Sequence, residues 1–315
     1  MNVNDLVTHY VAFRRTLGAR CNTTEKILRS FCRAVGLRTP VNRIQTKAVA
    51  KFLAGNGSIT RTWHFKYGAL KGFFGFAVSR GHLDEVPLPG ERPRCPGAFI
   101  PHIYSREELR RLLEAIPSYQ RFPGRMEPPT LRAILLLLYG AGLRRGEALR
   151  LSVADVDLAK SLLTIRDTKF FKSRLVPVGA DLTTVLSDYA RWRAATHPSA
   201  DDGSCFFIGR HGKAIHRWTL QDAFERLREY AGVRRTDGSR YQPRLHDFRH
   251  TFAVNRLVAW YRQGADVQRL VHHLSVYLGH ARLAHTQVYL TMTPELLAQA
   301  GTRFERYARG EDNDA

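Results

Sequence analysis

The stretch His246-Asp247-Phe248-Arg249-His250 decides how the rest of the sequence is interpreted. A histidine and an arginine three residues apart lie on the same face of a helix, so both side chains can reach a single anion. Farther along the chain, Leu278-Gly279-His280 is followed after nine residues by Tyr289. Cationic groups that bind a phosphate, a proton carrier and an oxygen nucleophile are the groups that phosphodiester chemistry requires.

A second arginine motif precedes this stretch, in Ala141-Gly142-Leu143-Arg144-Arg145-Gly146-Glu147-Ala148-Leu149. Glu147 follows Arg144 by three residues on the same helix face, so we predict that it orients an arginine side chain. The glycines here resemble a nucleotide-binding turn only loosely. They follow a predicted helix rather than a strand, which argues against that interpretation.

The charge of the chain favours a polyanionic partner. The 315 residues contain 49 Lys and Arg against 28 Asp and Glu, a net charge of +21. Residues 1–100 alone contain 16 basic and 5 acidic residues, so the excess extends over both halves. Two basic lobes predict a surface for double-stranded DNA, whereas the alternative is a basic soluble protein without such a role.

Cysteine usage and hydropathy favour a cytosolic protein, and we expect it to work on the chromosome. Cys21, Cys32, Cys95 and Cys205 lie far apart, without a Cys-x-x-Cys pair, which argues against structural zinc and a disulfide framework. The longest apolar run, Ala133 to Leu143, is too short to cross a membrane. The first residues also lack the basic segment of a signal peptide.

Periodicity predicts a mainly α-helical chain with a small β-sheet, an α+β fold of two domains. In residues 1–86, Leu6, Tyr10, Phe13 and Leu17 form a helical stripe. Further helices are expected at 23–35, 46–54 and 60–80, the last with aromatic residues that we assign mainly to a core and cations suited to phosphate contact. Residues 87–103 are rich in proline and are predicted to be a semi-rigid linker.

The second domain, residues 104–309, is expected to begin with a helix that Ser105 and Glu108 cap reciprocally. An apolar helix is predicted at 130–140, followed by a β-hairpin formed by 161–166 and 174–178 with a basic tip. Helices are then expected at 181–195, 218–231, 246–262, 265–278 and 294–308. The acidic tail, residues 310–315, is predicted to be disordered.

These motifs, in this order, resemble the catalytic domain of the tyrosine recombinase (phage integrase) family over about residues 104–300. The hairpin lysine is Lys169, counting back from Arg174-Leu175-Val176-Pro177, although Lys172 lies three residues away and remains an alternative. The helical N-terminal domain, residues 1–86, is assigned to core-site DNA binding mainly by its position and charge. The resemblance implies the catalytic residues Arg144, Lys169, His246, Arg249, His280 and Tyr289, with Glu147 as a supporting partner.

The resemblance implies a reaction in which Tyr289 attacks DNA and forms a 3′-phosphotyrosyl intermediate. Arg144 and Arg249 would bind the non-bridging oxygens of the phosphate, and Lys169 would protonate the departing 5′-oxygen. His246 would assist proton transfer at Tyr289, and His280 would donate a hydrogen bond to the phosphate. With this many cations, we expect neither a metal ion nor another cofactor at the site.

A zinc site is the alternative for the two histidines at His246 and His250. Asp247 stands where a zinc protease motif has glutamate, and the sequence offers no third ligand, so we predict no metal and a structural role for His250. Compared with simple family members, the segments around Gly264 are about four residues longer on each side. This predicts two helices lengthened by one turn each.

The sequence thus predicts a site-specific DNA recombinase that integrates, excises or transposes a mobile element. The resemblance implies a bacterial protein that forms a homo-tetramer on two DNA sites, with docking of the 294–308 helix on a neighbouring protomer, and accessory recombination proteins as further partners. Two rivals remain open: a type IB topoisomerase that relaxes supercoils as a monomer, and a non-catalytic DNA-binding protein with the same fold.

Overall fold

The chain forms two compact units, residues 1–99 and 100–315. A computed structural model describes residues 1–19, 21–55, 59–94, 100–119, 126–166, 173–198, 203–239, 241–280 and 282–291, and the single residues 298, 301 and 305. The division falls inside the predicted linker, 87–103, while the domain limits at 86 and 104 remain predictions. None of the helices in these ranges is long and apolar enough to cross a membrane.

The first unit is a small helical domain with its own core. Its helices are α1 (Val3–Thr16), α2 (Asn22–Val35), α3 (Thr46–Ala54) and α4 (Arg61–Ser79). The side chain of Asn2 accepts a hydrogen bond from the backbone N–H of Asp5 at 2.9 Å, which caps the first turn of α1. On α4, Trp63, Phe73 and Phe74 are buried, so these aromatic residues form core as predicted.

The predicted helical stripe lies on α1, but only its first half is buried. Leu6 and Tyr10 are buried, but Phe13 is 39% exposed and Leu17 is 66% exposed. Leu17 lies at the C-terminal end of α1, beyond the packed turns, and Phe13 stacks on Phe76 of α4 at the surface, with a centroid separation of 5.4 Å. A period of 3.6 residues identifies a face but does not show where the neighbouring helices end.

The second unit combines eight helices of the described chain with one small sheet, which confirms the predicted fold class. Its elements, in chain order, are α5 (Arg106–Tyr119), α6 (Pro128–Ala141), α7 (Arg145–Ala148), β1 (Val156–Asp157), β2 (Leu162–Ile165), β3 (Arg174–Pro177), α8 (Ala180–Thr196), α9 (Arg217–Tyr230), α10 (Asp247–Arg262), α11 (Val267–Leu278) and α12 (Ala284–Gln287). A 3₁₀ turn, Val288–Thr291, follows α12 and contains Tyr289.

The sheet is an antiparallel meander in the order β1-β2-β3. Leu162 pairs with Pro177 and Ile165 with Arg174, which confirms the predicted hairpin and defines its register. Alternate residues of β2, Leu163 and Ile165, face the core, as the period of two predicts. The tip of the hairpin, residues 167–172 with Lys169 and Lys172, lies outside the described residues.

The helix α10 is placed at the centre of the second unit by its apolar side chains. It packs against α6 and α11, and Phe248 is completely buried between Tyr104, Tyr139 and Phe224. Residues 263–266 join α10 to α11, so two continuous helices and a short turn fill the segment where lengthened helices were predicted. Their extra length relative to other family members remains a prediction.

Reciprocal capping starts α5 where it was predicted. The backbone N–H of Glu108 donates to Ser105 Oγ at 3.1 Å, and the backbone N–H of Ser105 donates to Glu108 Oε2 at 2.9 Å. Such a capping box satisfies two N–H groups that the first turn of a helix leaves unpaired. The capping box defines where the first helix of the second unit begins.

Gly142 ends α6 in a conformation that only glycine adopts readily, and we expect its replacement to be costly. Its φ is +59°, and a Cβ atom there would lie 2.5 Å from the ring of Phe252. Gly142→Ala should therefore lower the free energy of unfolding by about 2–5 kcal/mol, the sum of backbone strain and overpacking. Urea denaturation measures this change.

The matched control for Gly142 is Gly264, which has a φ of +69° but nothing within 4 Å of an added Cβ. Gly264→Ala should cost only the backbone strain, about 1–2 kcal/mol. Equal destabilisation by both substitutions would show that the ring of Phe252 moves aside and that the close approach is unimportant.

Candidate active site

The candidate residues of the second unit come together around the C-terminal end of α11. Arg144 immediately precedes α7, His246 immediately precedes α10, and Arg249 lies in its first turn. Gly279 ends α11 with a left-handed φ of 66°, which redirects the chain so that His280 follows directly. The turn Val288–Thr291 then brings Tyr289 to the same place, where it is only 3% exposed.

The backbone carbonyl groups of consecutive residues at the C-terminal end of α11 accept hydrogen bonds from the arginines. Arg249 donates through Nη2 to Leu278 O at 2.6 Å and through Nη1 to Gly142 O at 2.8 Å. Arg144 donates through Nη2 to Gly279 O at 2.9 Å. These carbonyls are left without helical partners at a helix end, and the partial negative charge there favours cations. The helix end therefore gathers the two guanidinium groups predicted to bind a phosphate.

Glu147 lies beneath these arginines and is 5% exposed. Its carboxylate accepts from Arg144 twice, through the backbone N–H at 3.0 Å and through Nη1 at 2.7 Å. It also accepts from Arg174, at 3.2 Å and 2.9 Å. Although burial alone would raise the pKa of Glu147, the hydrogen bonds and charges of Arg174 and Arg144 lower it to about 2. The carboxylate is therefore ionised at neutral pH.

The ring of Tyr289 lies between two histidine rings. Its centroid is 5.5 Å from that of His250 and 6.1 Å from that of His280. The ring of His246 packs in turn against His250, at 5.0 Å with an interplanar angle of 86°. The predicted structural residue His250 is thus placed directly beside the predicted nucleophile, between it and His246.

The charges around Tyr289 oppose the effect of its burial. Burial raises the pKa of the Tyr289 hydroxyl, while the positive charges of Arg249 and Arg144 act to lower it. Burial and the neighbouring Arg144 lower the pKa of Arg249 to about 10, so this arginine is still charged at neutral pH. The hydroxyl is protonated at neutral pH, and a reaction at Tyr289 must therefore include a proton acceptor.

The histidines can serve as such acceptors because they are neutral. Desolvation, followed by the charges of Arg249 and Arg144, lowers the pKa of His280 to about 3. Desolvation and Arg244 lower the pKa of His250 to about 4. The pKa of His246 is lowered in the same direction, although part of this side chain remains exposed to solvent. Neutral imidazole carries one donor and one acceptor.

We expect the stability of the protein to fall as the pH is lowered from about 7 towards 4. An unfolded histidine has a pKa of about 6.5, so between that value and the lower folded values the unfolded chain binds protons that the folded protein excludes. Stability therefore rises with pH across this window and is lost below it. The midpoint of urea unfolding, measured at about pH 7.5, 6 and 5, should decrease stepwise.

Replacing one of these histidines tests the origin of that pH dependence. His250→Gln removes a titrating group of similar shape and should give a smaller decrease in the urea midpoint between pH 7.5 and 5 than the wild type shows. An identical decrease in the two proteins would contradict the assignment of the effect to His250.

Other members of the site escaped the sequence analysis. The sequence pattern indicates no role for Arg174, yet its side chain is 11% exposed and contacts Glu147. Thr286, which is completely buried, places its Oγ1 at 2.7 Å from His280 Nδ1. A polar residue at the edge of a strand is normally read as exposed, so nothing in the pattern indicated Arg174. For Thr286 the sequence offered one weak indication, its position three residues before Tyr289.

Metal ligands are not grouped at this site. In the part of the chain that the structure describes, no three His, Cys, Asp or Glu side chains lie close enough to hold a metal ion. The site instead brings together two arginines, a buried carboxylate, neutral histidines and a tyrosine. This arrangement can bind an anion and move a proton at a hydroxyl group.

Comparison with known proteins places the second unit among DNA-processing enzymes. The sequence pattern of the phage integrase family matches residues 104–295. The chain is 36% identical over 311 residues to y4rB of Sinorhizobium fredii, named as a candidate integrase/recombinase, and the match covers 97% of both chains. It is 31% identical to the tyrosine recombinase XerA of Pyrococcus furiosus, over 84% of this chain and 81% of the relative.

Solved structures show the same fold at lower identity. The integrase of the transposon Tn1549, in complex with a circular intermediate DNA, superposes with a TM-score of 0.69 and 16% identity over 98% of this chain and 99% of that one. A lambda integrase tetramer bound to a Holliday junction superposes with a TM-score of 0.66 and 15% identity, over 92% and 77% of the two chains.

Proposed function

We propose, because the chain belongs to the phage integrase family, that it recombines DNA at a specific site through a covalent bond to Tyr289. Family membership makes it an enzyme that breaks and rejoins DNA strands, as its tyrosine recombinase relatives do. The observation that carries the assignment of the nucleophile is the position of Tyr289. It lies between two neutral histidines and next to the charges of Arg249 and Arg144.

In the proposed reaction the Oη atom of Tyr289 attacks the phosphorus of the scissile phosphodiester. A bond forms between Oη and phosphorus, the bond between phosphorus and the 5′-oxygen breaks, and the products are a 3′-phosphotyrosyl linkage and a 5′-hydroxyl. Attack by a 5′-hydroxyl of another strand reverses these steps and releases Tyr289. The energy of the broken linkage is kept in the phosphotyrosyl bond, so rejoining requires no further co-reactant.

Arg144 and Arg249 are proposed to bind the two non-bridging oxygens, whose negative charge grows in the transition state. A guanidinium has five N–H donors, and the contacts of Arg249 to Gly142 O and Leu278 O use two of them. The side chain of Arg144 is 37% exposed, so a phosphate can approach it from solvent. The carbonyl contacts thus hold both groups in place and leave donors for the phosphate.

The histidines are proposed to transfer the proton of Tyr289 and to donate one further hydrogen bond to the phosphate. His246 is assigned to proton transfer at Tyr289, and the ring of His250 packs against both side chains. If the Thr286 hydroxyl donates to His280 Nδ1, the proton of the neutral ring lies on Nε2. That nitrogen would then donate to the phosphate, the role that the family resemblance assigns to His280.

Lys169 is proposed to protonate the departing 5′-oxygen. Lys169→Ala should slow cleavage of ordinary DNA by about 10²–10³-fold, the usual contribution of a general acid. A DNA with sulfur at the bridging 5′ position should restore most of the rate, since a thiolate leaves without a proton. Single-turnover formation of the protein–DNA adduct measures both.

The matched control is Lys172→Ala in the same segment of the hairpin. Lys172 remains an alternative to Lys169 because a shift of three residues in the alignment exchanges them. Rescue by the sulfur substrate in the Lys172 variant, and not in the Lys169 variant, would reassign the general acid to Lys172.

The biological setting is proposed to be a mobile element in a bacterial cytoplasm, with double-stranded DNA as the partner of both units. The net charge of +21 supports a DNA partner, and the fold shared with the Tn1549 integrase supports the mobile element. A homo-tetramer on two DNA sites is supported by the shared fold with lambda integrase, whose tetramer binds a Holliday junction. Accessory recombination proteins belong to the same proposal.

Mapping the covalent adducts in cells tests this function against its rivals. The protein would be expressed beside its native locus, and the DNA attached to it would be sequenced. Adducts at one short sequence are expected. Adducts without sequence preference would favour a type IB topoisomerase. Binding of DNA without any adducts would favour a non-catalytic DNA-binding protein.

A further inference from the structure

The carboxylate of Glu147 accepts hydrogen bonds from two guanidinium groups, that of Arg144 and that of Arg174. We propose that Arg174 is a positioning residue for strand cleavage: it shares the charge of Glu147, so that Arg144 keeps a net positive charge for the scissile phosphate. The inference rests on the proposed function, since it concerns the same phosphate. It is carried by three sets of contacts, to Glu147, to the end of α11 and to the base of the hairpin.

The first set is the shared carboxylate. Arg174 donates through Nη2 to Glu147 Oε2 at 2.9 Å and through Nη1 to Glu147 Oε1 at 3.2 Å. Arg144 donates through Nη1 to the same Oε1 atom at 2.7 Å. One buried negative charge therefore faces two positive charges. The cluster retains one excess positive charge, on the side where Arg144 is open to solvent.

The consequence of removing Arg174 follows from this charge balance. A buried carboxylate left with one partner would bind that partner more strongly, because ion pairs at low dielectric are strong and an unpaired buried charge is costly. Glu147 would then neutralise Arg144, and the pair would attract a phosphate less. The protein could still fold and bind DNA through its other cations while the cleavage step slowed.

The second set of contacts ties Arg174 to the carbonyls that hold the other arginines. Its Nε donates to Tyr277 O at 2.9 Å, while Leu278 O accepts from Arg249 and Gly279 O from Arg144. Three consecutive carbonyls thus accept hydrogen bonds from three arginines, and Leu278 O also lies 3.5 Å from Arg144 Nη1. The guanidinium of Arg174 lies against Gly279, where a Cβ atom would come within 2.9 Å of its Nη1. Arg174 and the end of α11 therefore fit closely.

The third contact places Arg174 at the base of the hairpin. Arg174 is the first residue of β3 and pairs with Ile165 of β2, at the base of the hairpin whose tip contains Lys169. The same side chain thus connects the base of this hairpin to Glu147. Displacing it would disturb the base of the hairpin together with the carboxylate that holds Arg144.

The test compares Arg174→Met with Arg174→Met combined with Glu147→Gln, in full-length protein. The single-turnover rate of adduct formation is measured on a nicked DNA that traps the covalent product. Arg174→Met should cleave about 10²-fold more slowly, a loss similar to that of a transition-state contact. DNA affinity should change no more than in Arg226→Met, which removes the same charge from an exposed site on α9.

The double variant distinguishes charge sharing from a structural role. Removing the negative charge of Glu147 frees Arg144, so the double variant should cleave at least about 5-fold faster than Arg174→Met alone, as interacting residues behave in a double-mutant cycle. A merely structural Arg174 would give a double variant as slow as the single one or slower. Either that result, or an Arg174→Met rate equal to that of the wild type, would overturn the proposal.

Arg174→Lys keeps the comparison valid if the methionine variant unfolds. Lysine retains the charge near Glu147 but cannot donate two parallel hydrogen bonds, so its rate should lie between those of wild type and Arg174→Met, or about 10-fold below wild type. A wild-type rate in Arg174→Lys would contradict the need for paired donors. Absence of adducts in the wild type would reject the proposed function itself, so the two failures differ.

Discussion

Replacing Tyr289 by phenylalanine should abolish covalent attachment to DNA while leaving DNA binding intact. The substitution removes only the Oη atom that would bond to phosphorus, and loss of a nucleophile lowers turnover by at least about 10⁴-fold. The ring is buried between His250 and His280, and phenylalanine can keep those contacts. The measurement is a denaturing gel of protein and labelled DNA, with a mobility-shift assay on the same samples.

The control for Tyr289 is Tyr230→Phe. Tyr230 ends α9 and is 61% exposed, so loss of its hydroxyl should leave adduct formation unchanged. Adducts that persist in Tyr289→Phe would show that another residue attacks the DNA. Loss of DNA binding in that variant would show that the substitution disturbs the fold rather than the chemistry.

Arg249→Lys should lower the rate of cleavage by about 10²–10³-fold, which is the effect of removing one preorganised donor from a transition state. Arg249 is 2% exposed and spans Gly142 O and Leu278 O, and a lysine cannot reach both carbonyls and a phosphate together. A carbonyl left without a donor should also lower stability by about 1–3 kcal/mol. Single-turnover kinetics and urea unfolding separate these two effects.

A matched substitution lies two turns farther along the same helix. Arg256 is exposed on α10 and lies over the ring of Phe252, with 5.8 Å between its Cζ and the ring centroid. Arg256→Lys should leave the cleavage rate within about 3-fold of wild type, as surface substitutions do. An equally small effect of Arg249→Lys would remove Arg249 from the proposed phosphate site.

The sequence was most informative where regular periodicity or a capping signal defines an element. The helix predicted at 46–54 is Thr46–Ala54, and the one predicted at 181–195 is Ala180–Thr196. The hairpin forms from the two predicted strands, and alternation in β2 places one face in the core. Such elements follow from the spacing of apolar residues along the chain, which can be read directly from the sequence.

The site was predictable in its residue types but not in its supporting contacts. Local motifs named Arg144, Arg249, His280 and Tyr289, and the structure places them around the end of α11. No spacing rule shows which backbone carbonyls an arginine will bind, so the part played by Leu278 O and Gly279 O was not foreseen. Arg174 was missed because its partners are distant in sequence. Likewise, the helical stripe could not show that Phe13 remains partly exposed, because burial depends on the neighbouring helix.

The central claim is that Tyr289 becomes covalently bonded to the 3′-phosphate of DNA. The most direct test is to trap the adduct on a nicked DNA, digest the protein and DNA, and identify the modified peptide by mass spectrometry. We expect one phosphonucleotide on the peptide containing Tyr289, attached through the tyrosine oxygen, and a free 5′-hydroxyl on the released strand. A modified peptide that lacks Tyr289, or a released strand with a 5′-phosphate, would contradict the account.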